Sequence, residues 1–122
     1  MKTLAIVLIC VAGLINFLPV MGALSRKRVE SLYGITVEGG NFEILMRHRA
    51  VLFGIVGSLI IASAFDPSLR PAGYAAGFTA MLSFILVAGA VGHYNANLRR
   101  VAIVDIVGLV ALLGAFLIDY CV

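Results

Sequence analysis

The sequence has no tryptophan, three prolines and few charges, with Asp, Glu, Lys and Arg making up 12% of its 122 residues. Soluble domains carry about a quarter. So little charge excludes intrinsic disorder, which requires low hydrophobicity and high net charge. The only two cysteines, Cys10 and Cys121, lie far apart without a CxxC or a Cys/His cluster, so no redox or metal centre is indicated. GxGxxG, P-loop, HExxH and GxSxG patterns are absent. That removes dinucleotide-binding, zinc-protease and α/β-hydrolase classes and leaves no cofactor, metal or catalytic set to name. Alternating ten-residue segments, the mark of a membrane barrel, are missing too.

What is present is apolar: 62% of the residues, with a mean hydropathy of +1.11. A chain this short keeps much of its surface exposed and cannot hide that much apolar area from water. The expectation is an all-α integral membrane protein, a four-helix bundle running up-down-up-down with both termini on one side. It forms one transmembrane domain over 1–122, with helices about 3–24, 42–65, 71–94 and 98–120 and a loop at 25–41. A crossing takes about 20 apolar residues. The first segment has a signal-like profile, but its apolar run is long for a signal core, so it is read as an uncleaved helix. Residues 50–65 span only roughly 24 Å, so the second helix must extend back through Arg49, His48 and Arg47 toward Glu43. Asp66-Pro67 ends it, because a residue before proline avoids the helical region. Asn95-Ala96-Asn97 makes a short turn, so the last two helices are antiparallel neighbours. Val29 to Tyr33 is a candidate interfacial helix inside the loop.

The net charge of +3 is unevenly distributed. Arg26, Lys27, Arg28, Arg47, Arg49, Arg99 and Arg100 belong to the first and third connections, and only Lys2 and Arg70 to the other side. The positive-inside rule then places both termini outside the cytoplasm, in a multi-pass protein of the cell's inner (plasma) membrane. The excess of positive charge is thereby explained without nucleic acid.

Charge inside lipid is costly, so its placement is informative. Glu43, Arg47 and His48 on the second helix, Asn16 on the first, His93 and Asn95 after the third and Asp105 on the fourth all collect toward the cytoplasmic side. Glu43 and Arg47 are spaced i,i+4 and share a face. Val51, Gly54, Ser58 and Ala62 continue it, so Arg47 is expected to point inward and pair with Asp105 or Glu43. Arg49, about 200° away, is expected to snorkel toward lipid phosphates. Three readings of the cluster stand side by side: a salt bridge that fixes helix register, a ligand-binding pocket lined by Asn16, Arg47, His93 and Asp105, and charges that snorkel independently to the interface.

The segment Met46-Arg47-His48-Arg49-Ala50-Val51-Leu52-Phe53-Gly54, followed by Phe65-Asp66-Pro67, Arg70-Pro71 and two further helices, resembles the small bacterial four-helix membrane proteins grouped as DoxX-like, which are mostly uncharacterised. The resemblance covers most of the chain and implies the bundle rather than an activity. The functional expectation is a non-enzymatic accessory subunit, or a binder of a small amphipathic, lipid-like ligand in a polar pocket at the cytoplasmic half. The alternatives are a membrane enzyme acting on a lipid-like substrate, with Glu43, His48, His93 or Asp105 in acid–base roles, and a small transporter. The expected partners are the lipid bilayer and a lipid-like ligand or a membrane protein, with homo-oligomerisation open.

Overall fold

The computed structural model describes residues 2–18, 26–36, 38–93 and 95–121. The protein is all-α: α1 (Lys2–Phe17), α2 (Arg26–Tyr33), α3 (Gly39–Phe65), a 3₁₀ turn (Pro67–Leu69), α4 (Arg70–Val91) and α5 (Ala96–Cys121), with no strand among the described residues. α3, the run Pro67–Val91 and α5 are each long and apolar enough to cross a membrane, whereas α1 is apolar but shorter. The rest of the first expected span, 19–24, lies outside the described residues.

The four long helices form a ring in which α1 and α4 each pack on both α3 and α5. Close approaches fix the register. Gly13 faces Ile61 and Gly57 faces Phe17 across α1–α3, while Gly77 faces Leu112 and Gly108 faces Met81 across α4–α5. Gly73 faces Ser63 and Gly77 also meets Ile60 across α3–α4, and Leu8 and Ile15 of α1 meet Gly114 and Gly108 of α5. In every pair one number rises as the other falls, so ring neighbours are antiparallel. The side chains enclosed between these contacts, Ile9, Ile60, Met81 and Leu112, are fully buried.

Local chemistry explains the element ends. Asp66 is extended and its carboxylate accepts from the Ser68 hydroxyl at 2.7 Å and the Ser68 backbone N–H at 3.0 Å. Those two bonds hold the exposed Asp66 carboxyl below its usual range, the hydroxyl contributing most. α4 stops at Val91 rather than near Tyr94, because Gly92 takes a left-handed conformation (φ +77°) and returns its N–H to Ala88. An L side chain rarely adopts that conformation, so glycine here is a stop signal. α3 starts at Gly39, slightly earlier than expected. The loop 25–41 is partly helical, and α2 is longer than the stretch foreseen. α2 buries Val29 and Tyr33 against Met46, Leu98 and Val101.

The sequence expectation for the inward face of α3 is corrected. Its buried residues are Ala50, Gly54, Gly57, Ile60, Ser63 and Ala64, while Val51, Ser58 and Ala62 are exposed. At roughly 100° per residue the true face is centred about a third of a turn from the expected stripe, the two overlapping at Gly54. α3 is apolar on all sides, so hydrophobicity leaves its orientation open, and glycine-mediated close approach decides it.

Candidate functional site

The orientation of α3 determines where its charges go. Arg47 pairs with Glu43 at 3.1 Å, one turn earlier on the same helix, and both side chains stay substantially exposed. With Ile44, His48 and Val51 they line a shallow depression. Of the two partners expected for Arg47, the ion pair is with Glu43. The charge that acts on Asp105 is Arg49.

Arg49 is the second correction. Instead of reaching freely outward, its guanidinium lies against three aromatic rings: 5.1 Å from the centroid of Tyr33, 4.9 Å from Phe53 and 5.4 Å from Phe84. Three elements, α2, α3 and α4, thus supply one box around a cation. Each such contact is worth about 0.5 kcal/mol when exposed and about 2 kcal/mol when desolvated. Burial raises the pKa of the Tyr33 phenol, the largest effect; Arg49 opposes this shift and Asp105 adds to it.

Below Arg49 a groove of about 480 Å³ runs between α3 and α4, lined by Leu52, Phe53, Val56, Ala80, Phe84 and Val87 with Ser83 at its edge. Its volume falls within the range of small-molecule sites, roughly 300–1,000 Å³. A second groove of about 360 Å³ lies on the opposite side of the ring, between α1 and α5. It is lined by Ile15, Leu18, Val101 and Val104, and Ser31, Asn97, Arg100 and Asp105 give it polar character.

The remaining expected site residues differ in burial. Asp105 is buried in α5, and His48 and His93 are exposed. Asn16 is 2% exposed; its Nδ2 donates to the Ala12 carbonyl at 3.0 Å, and its Oδ1 has no partner among the described residues. None of these three grooves is lined by two of Asn16, Arg47, His93 and Asp105: Arg47 lines the depression on α3 and Asp105 the α1–α5 groove. Among the described residues no three His, Cys, Asp or Glu side chains gather as a metal site.

Asn95 has a structural role that its position alone did not reveal. Its Oδ1 accepts from the Leu98 N–H at 2.8 Å, capping α5. Its Nδ2 donates to the carbonyls of Tyr33 and Gly34, both at 2.9 Å, at the end of α2. One amide therefore starts α5 and holds α2, and through α2 the Tyr33 wall of the cation box. Asn95→Ala should cost about 1–2 kcal/mol from the lost cap alone and speed hydrogen exchange in α2. Unchanged exchange in Val29 to Tyr33 would show that α2 is held without it. Asn95→Asp should keep the cap and lose the hold on α2.

The opposite end of the bundle holds the most extensive side-chain hydrogen-bond network among the described residues. Arg70 Nη1 donates to both Asp119 oxygens at 2.9 Å, Nε to the Ser63 carbonyl at 2.8 Å and Nη2 to the Ala64 carbonyl at 2.9 Å. The Tyr74 hydroxyl donates to Asp119, and its ring meets Phe116 edge-on. A signal for this pair was available: Arg70 and Asp119 lie at nearly equal distances from the α4–α5 turn, as antiparallel register requires.

No family model, curated protein or solved structure matches this chain.

Proposed function

We propose that the chain is a multi-pass protein of a bacterial inner membrane that binds an amphipathic, lipid-like ligand at the α2 end of its bundle, without itself catalysing a reaction. In this reading α1, α3, α4 and α5 all cross the bilayer, as in the DoxX-like proteins the sequence resembles. The observation that carries it is the pair of largely apolar grooves on opposite sides of the ring, each with one arginine, Arg49 or Arg100, toward the α2 end. An amphipath needs that order of surfaces: hydrocarbon wall below, charge above. The apolar exterior supports the membrane setting, with Leu45, Leu86 and Val110 all more than 60% exposed. Glu43 and His48 line a depression separate from the groove that Asp105 lines, which favours binding over acid–base chemistry drawing on all of them, since that needs groups within hydrogen-bond reach of one substrate.

The basic residues Lys27, Arg28, Arg99 and Arg100 stand at the α2 end, which is therefore the cytoplasmic end under the positive-inside rule. Both termini are then extracytoplasmic. A C-terminal alkaline phosphatase fusion should be active and a C-terminal fluorescent-protein fusion dark; the reverse pattern would invert the proposed orientation.

A ligand that binds only the folded state raises the apparent stability by mass action. The purified protein in non-ionic detergent should therefore show a rising Tm as polar lipid extract from bacterial membranes is added. A Tm that stays flat across the titration would remove the ligand-binding reading.

A further inference from the structure

We infer that the α3–α4 groove holds an anionic membrane lipid, with a headgroup oxyanion on Arg49 and one acyl chain along the groove. This rests on the ligand-binding reading above and adds to it the groove, the headgroup charge and the contact residue.

The argument starts from what Arg49 has and lacks. It has three aromatic faces within about 5 Å, which fix the plane of the guanidinium without using its N–H groups. It lacks an acceptor: among the described residues it makes no hydrogen bond or ion pair. Asp105 acts on it only at longer range. A guanidinium presents five donors in a planar fork that matches phosphate and carboxylate oxygens. Ring contacts leave the edge of that fork open to an oxyanion, and fixing its plane beforehand lowers the entropy lost on binding. A snorkelling arginine, free to follow any phosphate, would not be boxed by three separate elements.

The groove supplies the other half of the ligand. From Arg49 to Val56 α3 advances roughly 10 Å, and Leu52, Phe53 and Val56 face Ala80, Phe84 and Val87 of α4 along that length. Its wall is hydrocarbon apart from Ser83, whose hydroxyl is already turned to the Ala80 carbonyl at 3.2 Å. There is one channel between two helices, which suits one chain. Positive charge at the head and none lower down selects an anionic lipid over a zwitterionic one.

The test is native mass spectrometry of the intact protein released from detergent micelles containing phosphatidylglycerol, phosphatidylcholine or inorganic phosphate. The parent should retain one phosphatidylglycerol in preference to phosphatidylcholine, and inorganic phosphate should neither bind nor displace the lipid. Arg49→Gln should weaken retention roughly tenfold or more, the loss of one charge-assisted contact. Ser83→Trp fills the groove from an exposed position without changing charge and should also abolish the preference. Lys27→Gln removes a charge from the basic end and should leave it intact. If Arg49→Gln does not fold, Ser83→Trp decides alone. Equal retention of phosphatidylcholine, retention by Ser83→Trp, or displacement by inorganic phosphate would overturn the inference. If lipid extract still raises Tm in that case, the broader ligand reading survives; if it does not, both fall.

Discussion

Asp119→Ala is expected to destabilise the protein by about 3 kcal/mol, because truncating one member of a buried ion pair leaves the other charge uncompensated. The Asp119 and Arg70 side chains are only 16% and 15% exposed, so water can replace little of the lost carboxylate. Arg70 would keep its bonds to the carbonyls of Ser63 and Ala64, which moderates the loss, but the Tyr74 hydroxyl would lose its acceptor. The network joins the end of α3, the start of α4 and the end of α5, so its loss should loosen three helices together. Thermal unfolding in detergent checks this. Asp119→Asn should fall between parent and Ala, since it retains an acceptor for Tyr74. The double change Arg70→Met with Asp119→Leu should recover much of the loss, because it removes the unpaired charge. If Asp119→Ala unfolds with the parent, the pair contributes no more than an exposed surface bridge.

The contrast between the two ends of the bundle shows what the sequence could convey. The membrane class, the helical content and the connection through Asp66-Pro67 follow from composition and from single residues whose backbone preferences are strong. The face of α3 does not. Arg47 and Arg49 lie on nearly opposite faces, so an error of about a third of a turn in helix orientation changes which arginine stands nearer α4. A helix apolar on every side offers no hydrophobic asymmetry to correct that error. The signal that decides it is pairwise: Gly57 matters because Phe17 lies opposite, and that pairing belongs to two helices rather than one. Arg70 and Asp119 were legible in the same pairwise way, through their equal distances from the α4–α5 turn. Asn95 was singled out as a site residue for its polarity and position, but both of its roles use backbone groups of other segments, which no side-chain pattern displays.

Gly57→Leu should be the most damaging glycine substitution at the α1–α3 contact. A Cβ placed on Gly57 would stand 2.7 Å from the Phe17 backbone nitrogen and 2.8 Å from its Cα. These are backbone atoms, so relief requires moving one helix away from the other rather than turning a side chain. Separation would also cost van der Waals contact along the seam, and in a membrane such packing is a principal force holding helices together. Gly57→Ala alone should cost about 1–3 kcal/mol, as overpacking does, and Gly57→Leu more. Gly89→Ala is the internal control. A Cβ there meets nothing within 4 Å, and alanine is the better helix former by about 1 kcal/mol, so this change should be neutral or stabilising. Unfolding temperatures for the three variants should therefore rank Gly89→Ala at or above the parent, then Gly57→Ala, then Gly57→Leu. Should Gly57→Leu match the parent, α1 cannot lie against α3 at Phe17, and the ring order itself would have to change. Loss of lipid retention in Gly57→Leu at temperatures where helicity persists would further tie the α1–α3 seam to the groove. Both sides of that groove's α3 wall are set by the same rotation that places Gly57 against α1 and Arg49 toward α4.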